Sequence, residues 1–529
     1  MLHSTFSSNG MVVAPHHLAA DAGLNILRDG GNAIEAMIAA ASTISVVYPH
    51  MNSIGGDGFW LISLPSSEVI AIDACGPAAQ SADKSFYLSN GYNKIPTRGP
   101  HAALTTAGTI SGWQSALEIS IASGGKIPLS RLLEYAIAYA RRGVSVTSGQ
   151  RRNTISKLDE MKDSIGFHEN FLNSGEVPVC GDLFYQKQLS NTLERLAHAG
   201  LDDFYRGDLA KLIAEDLSSI DSPLKRTDLE SYYATIKEPL SLKLSSGTIY
   251  NMPPPTQGLA SLLILGAFDK LSCLEADGFE FIHLLVEATK QAFSIRDFHI
   301  TDPDYMQTNP NTFLRDSVVS SLADAIDPNK ASDWKRDVDK GDTVWLGAID
   351  NKGMAVSFIQ SIYWEFGSGV VLPQTGITWQ NRGSSFSLVA GEQNELKPGR
   401  KPFHTLNPAL AKLNDGRIMS YGTMGGEGQP QTQAAIFARH ILFGQGVQEA
   451  ITAPRWLLGR TWGDDNNNLK LESRFSPELI AALRDAGHDV VIVDPFSDLM
   501  GHAGALVQNT NGIIEAGFDP RSDGRAAGF

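Results

Sequence analysis

The sequence predicts an α/β protein built as a four-layer αββα sandwich, in which two packed β-sheets are covered by helices. A helix over Ala33–Val47 is apolar on nearly every side, which indicates that it is buried. Strands at Thr343–Ile349 and Met354–Ser361 flank a polar turn and form a predicted hairpin. Later strands alternate with helices at Gln431–Leu442 and Pro477–Ala486, which favours paired strands covered by helices.

The first elements are two helices and a glycine-rich turn. Helical spacing over Pro15–Asp29 ends at Gly30-Gly31, a glycine signal for a helix C-terminus. Asn32 is placed to cap the apolar helix that follows. The stretch Ser53–Ile62 is a glycine-rich turn that enters a strand, and it lacks the Gly-Lys-Ser/Thr ending of a phosphate loop. Tight backbone packing is therefore its predicted role.

The middle of the chain is predicted to be mostly helical. Residues 113–220 are rich in helical patterns, and Leu240–Tyr250 alternates like one strand. Helices are predicted at Gly258–Leu271 and Phe279–Phe298. The segment Asp327–Asp342 carries many charges and few apolar groups, so it is predicted to be an exposed, mobile loop. Four strands are predicted near the C-terminus, at Arg417–Tyr421, Leu469–Glu472, Asp489–Val493 and Ala503–Gln508.

Composition excludes several classes of function. The formal net charge of −15 disfavours nucleic acids and anionic membranes as partners. The longest apolar run, Gly258–Phe268, is too short to span a bilayer. The cysteines Cys75, Cys180 and Cys273 form no disulfide framework, and the N-terminus lacks the features of a signal peptide. We therefore expect a cytoplasmic protein.

Thr343 is the most informative residue. It begins a predicted buried strand directly behind the charged segment that ends at Asp342. A self-cleaving hydrolase needs this arrangement, because breaking the peptide bond before a threonine turns that residue into an N-terminal nucleophile. The alternative is an ordinary strand threonine, since threonine is common in strands.

Several sequence blocks, taken in order, resemble the gamma-glutamyltransferase family of N-terminal-nucleophile hydrolases over nearly the full length. The blocks are Gly10–Ala14, Gly30–Ala33, Gly55–Phe59, Met252–Pro255, Glu287–Phe293, Pro408-Ala409, Gly425–Gln429 and Asp519–Arg521. The resemblance implies an inactive precursor that cleaves itself between Asp342 and Thr343. A large subunit, 1–342, and a small subunit, 343–529, would then stay intertwined in one structural domain.

The resemblance also assigns catalytic roles, and it requires neither metal nor cofactor. Thr343 would be the nucleophile and its own freed α-amine the base. Gly425 and Gly426 match the loop whose backbone N–H groups stabilise the oxyanion. Without the resemblance, these glycines read equally well as a turn between a strand and a helix.

The predicted substrate pocket departs from that of the true gamma-glutamyl enzymes. Family positions that bind the substrate or support the nucleophile are changed in this chain to Cys75, Val344, Tyr363, Arg382, Ser385 and His404. Cys75 replaces an arginine that binds a carboxylate, and Ser385 an acidic residue that binds an ammonium group. Arg382, His404 and Thr405 would instead bind a small anion, and Tyr363 would shorten the pocket.

Other roles stay open for several of these residues. Arg382 is equally well explained as a loop arginine, or as a residue paired with Glu365. His404 reads also as a packed histidine, and Tyr363 and Trp364 as ordinary core aromatics.

The predicted function is hydrolysis of a small anionic amide through an acyl ester on Thr343. Oxamate, cleaved to oxalate and ammonia as in purine degradation, is the best candidate substrate. A gamma-glutamyltransferase or acylase with a modified pocket is the alternative, and a non-catalytic binding protein on the same scaffold is a third. Two large–small heterodimers are a candidate assembly.

Overall fold

The computed structural model describes residues 2–334, 342–459 and 467–529 of the chain, and of Asp342 it describes the backbone only. The predicted loop Asp327–Asp342 therefore lies partly outside the described residues.

Within these ranges, the chain folds into β-strands and α-helices that are numbered in chain order. The strands are β1 (Thr5–Ser7), β2 (Gly10–Ala14), β3 (Asp57–Ser63), β4 (Val69–Ala74), β5 (Val144–Ser145), β6 (Leu183–Phe184), β7 (Thr235–Lys237), β8 (Leu240–Lys243), β9 (Gly247–Asn251), β10 (Asp342–Asp350), β11 (Ala355–Tyr363), β12 (Ala409–Leu413), β13 (Ile418–Thr423), β14 (Trp456–Leu458), β15 (Leu469–Glu472), β16 (Val490–Val493), β17 (Ala503–Gln508), β18 (Ile514–Phe518) and β19 (Arg525–Gly528). The α-helices are α1 (His17–Arg28), α2 (Ala33–Val47), α3 (Lys84–Ser89), α4 (Thr109–Ala122), α5 (Leu129–Leu132), α6 (Glu134–Arg142), α7 (Ser148–Met161), α8 (Phe167–Phe171), α9 (Lys187–Ala199), α10 (Asp203–Arg206), α11 (Asp208–Ser219), α12 (Arg226–Glu230), α13 (Gly258–Asp269), α14 (Phe279–His299), α15 (Asp316–Asp324), α16 (Gly428–Phe437), α17 (Val447–Thr452) and α18 (Pro477–Asp485).

Two antiparallel sheets form the centre of the fold. The first sheet has the order β19-β2-β10-β11-β3-β4-β7, and the second has the order β1-β18-β17-β13-β12-β9-β8. Helices α1, α2 and α4 pack on the outer face of the first sheet, and α13 and α16 pack on the outer face of the second. The predicted αββα layering is therefore confirmed.

Strand β10 shows how the sequence places its side chains in this sandwich. Val344, Leu346 and Ala348 join the core under the helices, whereas Trp345 and Ile349 join the core between the sheets. This alternation follows from the two-residue period of a strand. Because both faces of β10 are covered, its sequence reads as nearly continuous apolar residues.

The indole of Trp345 joins the two sheets. It lies against Gly422 on β13 and Gly504 on β17, where a Cβ atom on either glycine would overlap the ring. Its Nε1 donates a hydrogen bond of 2.9 Å to the hydroxyl oxygen of Ser357 on β11. The two glycines therefore allow the sheets to approach each other at Trp345, two residues after Thr343 on β10.

Both sheets combine strands from the two sides of Thr343. In the first sheet, β10 lies between β2 and β11, and β11 pairs with β3. In the second sheet, β12 pairs with β9. Each predicted subunit thus contributes neighbouring strands to both sheets.

Most predicted elements are confirmed, and one is wrong. Asn32 caps α2 in a capping box with Glu35, and α1 ends just before Gly30, which has a φ of 86°. The single strand predicted at Leu240–Tyr250 is instead the hairpin β8–β9, since the backbone N–H of Leu244 donates to the carbonyl of Gly247 across a tight turn. None of the described helices is long and apolar enough to cross a membrane.

Candidate active site

Thr343 lies near the start of β10, in the interior of the first sheet, and its side chain is fully buried. The pairing of β10 with β11 shifts register between Asp342 and Val344. Such a bulge bends the strand locally and changes the direction of a side chain. The one irregularity in this ladder therefore falls at the predicted nucleophile.

Gln429 contacts the Thr343 hydroxyl. Its Nε2 donates a hydrogen bond of 3.4 Å to Thr343 Oγ1, and its Oε1 accepts one of 3.2 Å from the backbone N–H of Asn407. Gln429 is fully buried in the first turn of α16. Its role was not predicted from the sequence, although it ends the Gly425–Gln429 block.

Gly425 and Gly426 form the loop between β13 and α16. Their φ angles are 118° and 51°, a backbone region that glycine adopts readily. Their carbonyl oxygens accept hydrogen bonds from the N–H groups of Gly428 and Gln429. Within the described part of the chain their own N–H groups donate no hydrogen bond, so both remain available to an oxyanion.

A buried polar network fixes this loop. Gln257 Nε2 donates to the carbonyl oxygens of Gly426 at 2.8 Å and Thr405 at 2.6 Å. Arg296, on α14, donates to Gln257 Oε1 and to Glu427 Oε1, both at 2.6 Å. Burial acts to lower the pKa of Arg296, but the carboxylates of Glu427 and Asp297 together outweigh burial and raise it. The network ties the loop of Gly425 and Gly426 to the loop that carries Thr405.

Arg382 is a buried cation without a carboxylate partner among the described residues. It begins a 3-10 turn, Arg382–Ser385, and only 1% of it is exposed. Its Nη1 donates a long hydrogen bond of 3.5 Å to Thr405 Oγ1, and its guanidinium carbon lies 3.8 Å from the centre of the Tyr363 ring. Its Nη2 has no hydrogen-bond partner in the described ranges. Burial lowers the pKa of Arg382.

Tyr363 adopts a backbone conformation that is rare for a residue with a side chain. Its φ is 81°, and such strain is concentrated at functional sites. The residue ends β11 and is paired with Asp342 in the ladder. Its ring is thereby held over Arg382, next to the predicted cleavage site.

His404 is bound on both sides by the protein. Its Nε2 lies 3.2 Å from Asp57 Oδ2, and its Nδ1 accepts a hydrogen bond of 3.4 Å from the backbone N–H of Leu406. We assign the ring proton to Nε2, because Nδ1 must accept. Burial lowers the pKa of His404 well below its ordinary value, so the ring is neutral. This geometry favours a supporting role for His404 over direct contact with substrate.

Asp57 was not identified from the sequence, although it lies in the glycine-rich turn. Its Oδ1 accepts hydrogen bonds of 3.1 Å from the backbone N–H groups of Gly76 and Gly108 and from Gln380 Nε2. Burial raises the pKa of Asp57 to about 7, although these donors and Arg382 act in the opposite direction. The carboxyl group can therefore change its charge near neutral pH.

The remaining predicted residues have other partners. The Ser385 hydroxyl donates to the carbonyl oxygen of Arg382 at 3.0 Å and closes the 3-10 turn. One carboxylate oxygen of Glu365 lies 3.8 Å from Lys157 Nζ. Among the described residues Glu365 forms no ion pair with Arg382, so the pairing considered for these two is not observed.

Two groups in the described ranges could bring metal-ligand atoms together: Asp57, Cys75 and His404, and His283, Glu287 and His488. In the first group, His404 is hydrogen-bonded to Asp57, and the positive charges of Arg382 and Lys401 are close. In the second, the two histidine rings hydrogen-bond at 2.8 Å and Lys290 pairs with Glu287 at 2.7 Å. The histidine and carboxylate side chains of both groups are therefore already engaged in hydrogen bonds or ion pairs.

Comparisons with known proteins agree over the whole chain. The sequence pattern of the gamma-glutamyltranspeptidase family matches residues 19–529. The chain is 54% identical to the oxamate amidohydrolase proenzyme of Klebsiella pneumoniae over 530 residues, which cover 100% of both proteins. It is 37% identical to the glutathione hydrolase-like YwrD proenzyme of Bacillus subtilis, again over 100% of both. Among solved structures, a cephalosporin acylase from Bacillus halodurans has a TM-score of 0.93 and 31% identity, covering 100% of this chain and 97% of that one.

Proposed function

This chain belongs to the gamma-glutamyltranspeptidase family, and from that premise we propose which bond it cleaves in itself and which substrate it hydrolyses. It is an N-terminal-nucleophile amidohydrolase, a hydrolase of C–N bonds, made as a precursor that is cleaved into two subunits. The cleavage position and the substrate are the proposed parts. A role in purine degradation and a cytoplasmic location belong to the same proposal.

The precursor cleaves itself between Asp342 and Thr343. The Thr343 hydroxyl attacks the carbonyl carbon of Asp342, the C–N bond breaks, and the amide nitrogen takes the hydroxyl proton. Water then hydrolyses the resulting ester and frees the α-amine of Thr343. An unperturbed α-amine has a pKa of about 7.7–8, and partial burial lowers it, so it becomes a competent base near neutral pH.

The substrate proposed for the processed enzyme is oxamate, a primary amide that carries one carboxylate. The carboxylate is bound by Arg382 Nη2 and by the Thr405 hydroxyl, with Tyr363 closing the pocket over the guanidinium. Asp57 and His404, which are hydrogen-bonded to each other, help to position this site and do not contact the substrate. A bulky gamma-glutamyl group, which also carries an ammonium, has no acidic partner at Ser385.

Turnover proceeds through an acyl ester on Thr343. The α-amine takes the hydroxyl proton, the oxygen attacks the amide carbon, and the N–H groups of Gly425 and Gly426 stabilise the oxyanion. The C–N bond breaks and ammonia leaves with the proton held by the amine. Water, deprotonated by the same amine, opens the ester and releases oxalate.

The unused, buried Nη2 of Arg382 is the observation that carries the substrate proposal. The test is ammonia release from oxamate by processed protein, with and without the substitution Arg382→Met. We expect turnover by the unsubstituted enzyme and a large rise in KM for the variant. Absence of ammonia release, together with good turnover of a gamma-glutamyl anilide, would refute the proposal.

Lys401→Met is the matched control for that experiment. Lys401 is a neighbouring cation, but its ammonium is already paired with Asp73 at 2.6 Å. Its loss should therefore change KM for oxamate much less than the loss of Arg382. Added dipeptide acceptors separate the two family activities, because they accelerate a transferase and leave a hydrolase unchanged.

A further inference from the structure

The orientation of the Gln429 side chain is fixed by its two partners. A backbone N–H can only donate, so the atom facing Asn407 must be the oxygen Oε1. The atom facing Thr343 Oγ1 is then the amide nitrogen, which can only donate. The nucleophile oxygen therefore accepts a hydrogen bond from a fully buried donor.

A donor at this position acts on the oxygen whose charge changes during the reaction. As the Thr343 hydroxyl loses its proton, its oxygen gains negative charge, and a hydrogen bond to a charged acceptor is stronger than one to a neutral acceptor. The same oxygen is the leaving group when water opens the acyl ester. A donor that stays bound to it stabilises both transition states.

We propose that Gln429 is a catalytic residue that stabilises the developing charge on Thr343 Oγ1 during self-cleavage and during each turnover. The inference rests on Thr343 being the nucleophile, but it does not depend on the identity of the substrate. In self-cleavage, Gln429 holds the oxygen while the carbonyl of Asp342 is attacked and while the ester is hydrolysed. In turnover, it acts on the same oxygen in acylation and deacylation.

The experiment compares Gln429→Leu with Gln431→Leu. Gln431 is also buried on α16, but its amide contacts the backbone of Leu458 and Glu427 and not Thr343. Loss of one donor to a developing oxyanion lowers kcat by about 100- to 1,000-fold. We expect such a fall in kcat, with little change in KM, and slower self-cleavage in Gln429→Leu only. Gln431→Leu should lower the melting temperature and retain both rates.

Gln429→Glu supplies a readout that a purely structural role would not move. Its carboxyl group keeps the size of the amide and can donate to Thr343 only when it is protonated. Its rates of self-cleavage and turnover should therefore rise, relative to those of the unsubstituted protein, as the pH is lowered. If Gln429→Leu does not fold, this pH profile decides the question.

Self-cleavage is followed on denaturing gels and needs no substrate, so the role of Gln429 can be tested even if oxamate is not hydrolysed. Normal self-cleavage and kcat in Gln429→Leu would overturn it. A pH profile of Gln429→Glu parallel to that of the unsubstituted protein would also overturn it. Failure of oxamate turnover alone, with slow self-cleavage in Gln429→Leu, would count against the proposed substrate only.

Discussion

Arg382 and Arg296 are both fully buried arginines, yet their surroundings differ in a way that predicts opposite responses to replacement by methionine. Arg296 pairs with Glu427 and Asp297 and also donates to Gln257. Arg382 has one long hydrogen bond and one aromatic contact among the described residues. Arg296→Met therefore breaks a network in which every charge is paired. Arg382→Met instead removes a buried charge whose desolvation destabilises the folded protein.

The expected magnitudes follow from these partners. Removing one member of a buried ion pair destabilises a protein by about 3–5 kcal/mol, because the other charge is left unpaired. Arg382→Met loses a cation–π contact of about 0.5–2 kcal/mol but relieves a desolvation penalty of several kcal/mol. We expect Arg296→Met to lower the free energy of unfolding strongly. Arg382→Met should change it by no more than about 1 kcal/mol, or raise it.

Arg382 should matter much more for substrate binding than for stability. Each charge-assisted hydrogen bond contributes about 1.5–3 kcal/mol, so losing the one from Arg382 Nη2 should raise KM for oxamate by about 10- to 100-fold. Oxalate at 100 times its Kd should stabilise the unsubstituted enzyme by about 2.7 kcal/mol, and at the same oxalate concentration this stabilisation should fall by about half or more in Arg382→Met.

Denaturant and thermal unfolding of the processed proteins, with and without oxalate, measure these differences, and ammonia release gives KM. Destabilisation by Arg382→Met as large as that by Arg296→Met would show that Arg382 is held for stability, contrary to expectation. If Arg382→Met leaves both KM and the stabilisation by oxalate unchanged, the guanidinium does not bind the anion.

Three other predictions concern the nucleophile, the charge of the pocket and the packing between the sheets. Thr343→Ala should remain one band on a denaturing gel and release no ammonia, and two fragments from this variant would contradict the proposed cleavage site. Burial raises the pKa of Asp57 to about 7, so below that pH the carboxyl group is neutral and offsets less of the positive charge of Arg382. KM for oxamate should therefore rise as the pH increases from about 6 to 8, and this rise should flatten in Asp57→Asn. Equal KM profiles for the two proteins would exclude this titration. Gly422→Ala should lower the free energy of unfolding by about 1–3 kcal/mol, an amount typical of overpacking, because its Cβ would overlap the indole of Trp345. An unchanged free energy of unfolding would show that the two sheets can move apart without cost.

Local patterns were sufficient to predict much of the fold. The capping box at Asn32, the apolar helix α2 and the hairpin β10–β11 are determined by residues close together in the chain, so their sequence signals are direct. The error at Leu240–Tyr250 has a local cause as well. Alternation continues through a tight turn that contains serine and glycine, so one strand and a short hairpin have nearly the same pattern.

The contacts that position the residues of the candidate active site could not be predicted in the same way. Gln257 and Gln429 contact backbone or side-chain groups more than 80 positions away, and no periodicity marks such contacts. Arg382 was found because it stands at a family position, but its burial and its unused nitrogen depend on tertiary packing. The partner of His404 likewise could not be predicted, because Asp57 is 347 residues away.

The distribution of strands between the two sheets determines whether the two subunits of the processed protein can separate. Since β10 and β11 lie between β2 and β3, the small subunit that we propose begins at Thr343 cannot leave without breaking the ladders on both of its sides. Once formed, a pair of chains is therefore permanent for as long as the molecule stays folded. Processed molecules labelled with two different isotopes and mixed should keep their original partners, and separately produced fragments should have to fold together to give a functional enzyme.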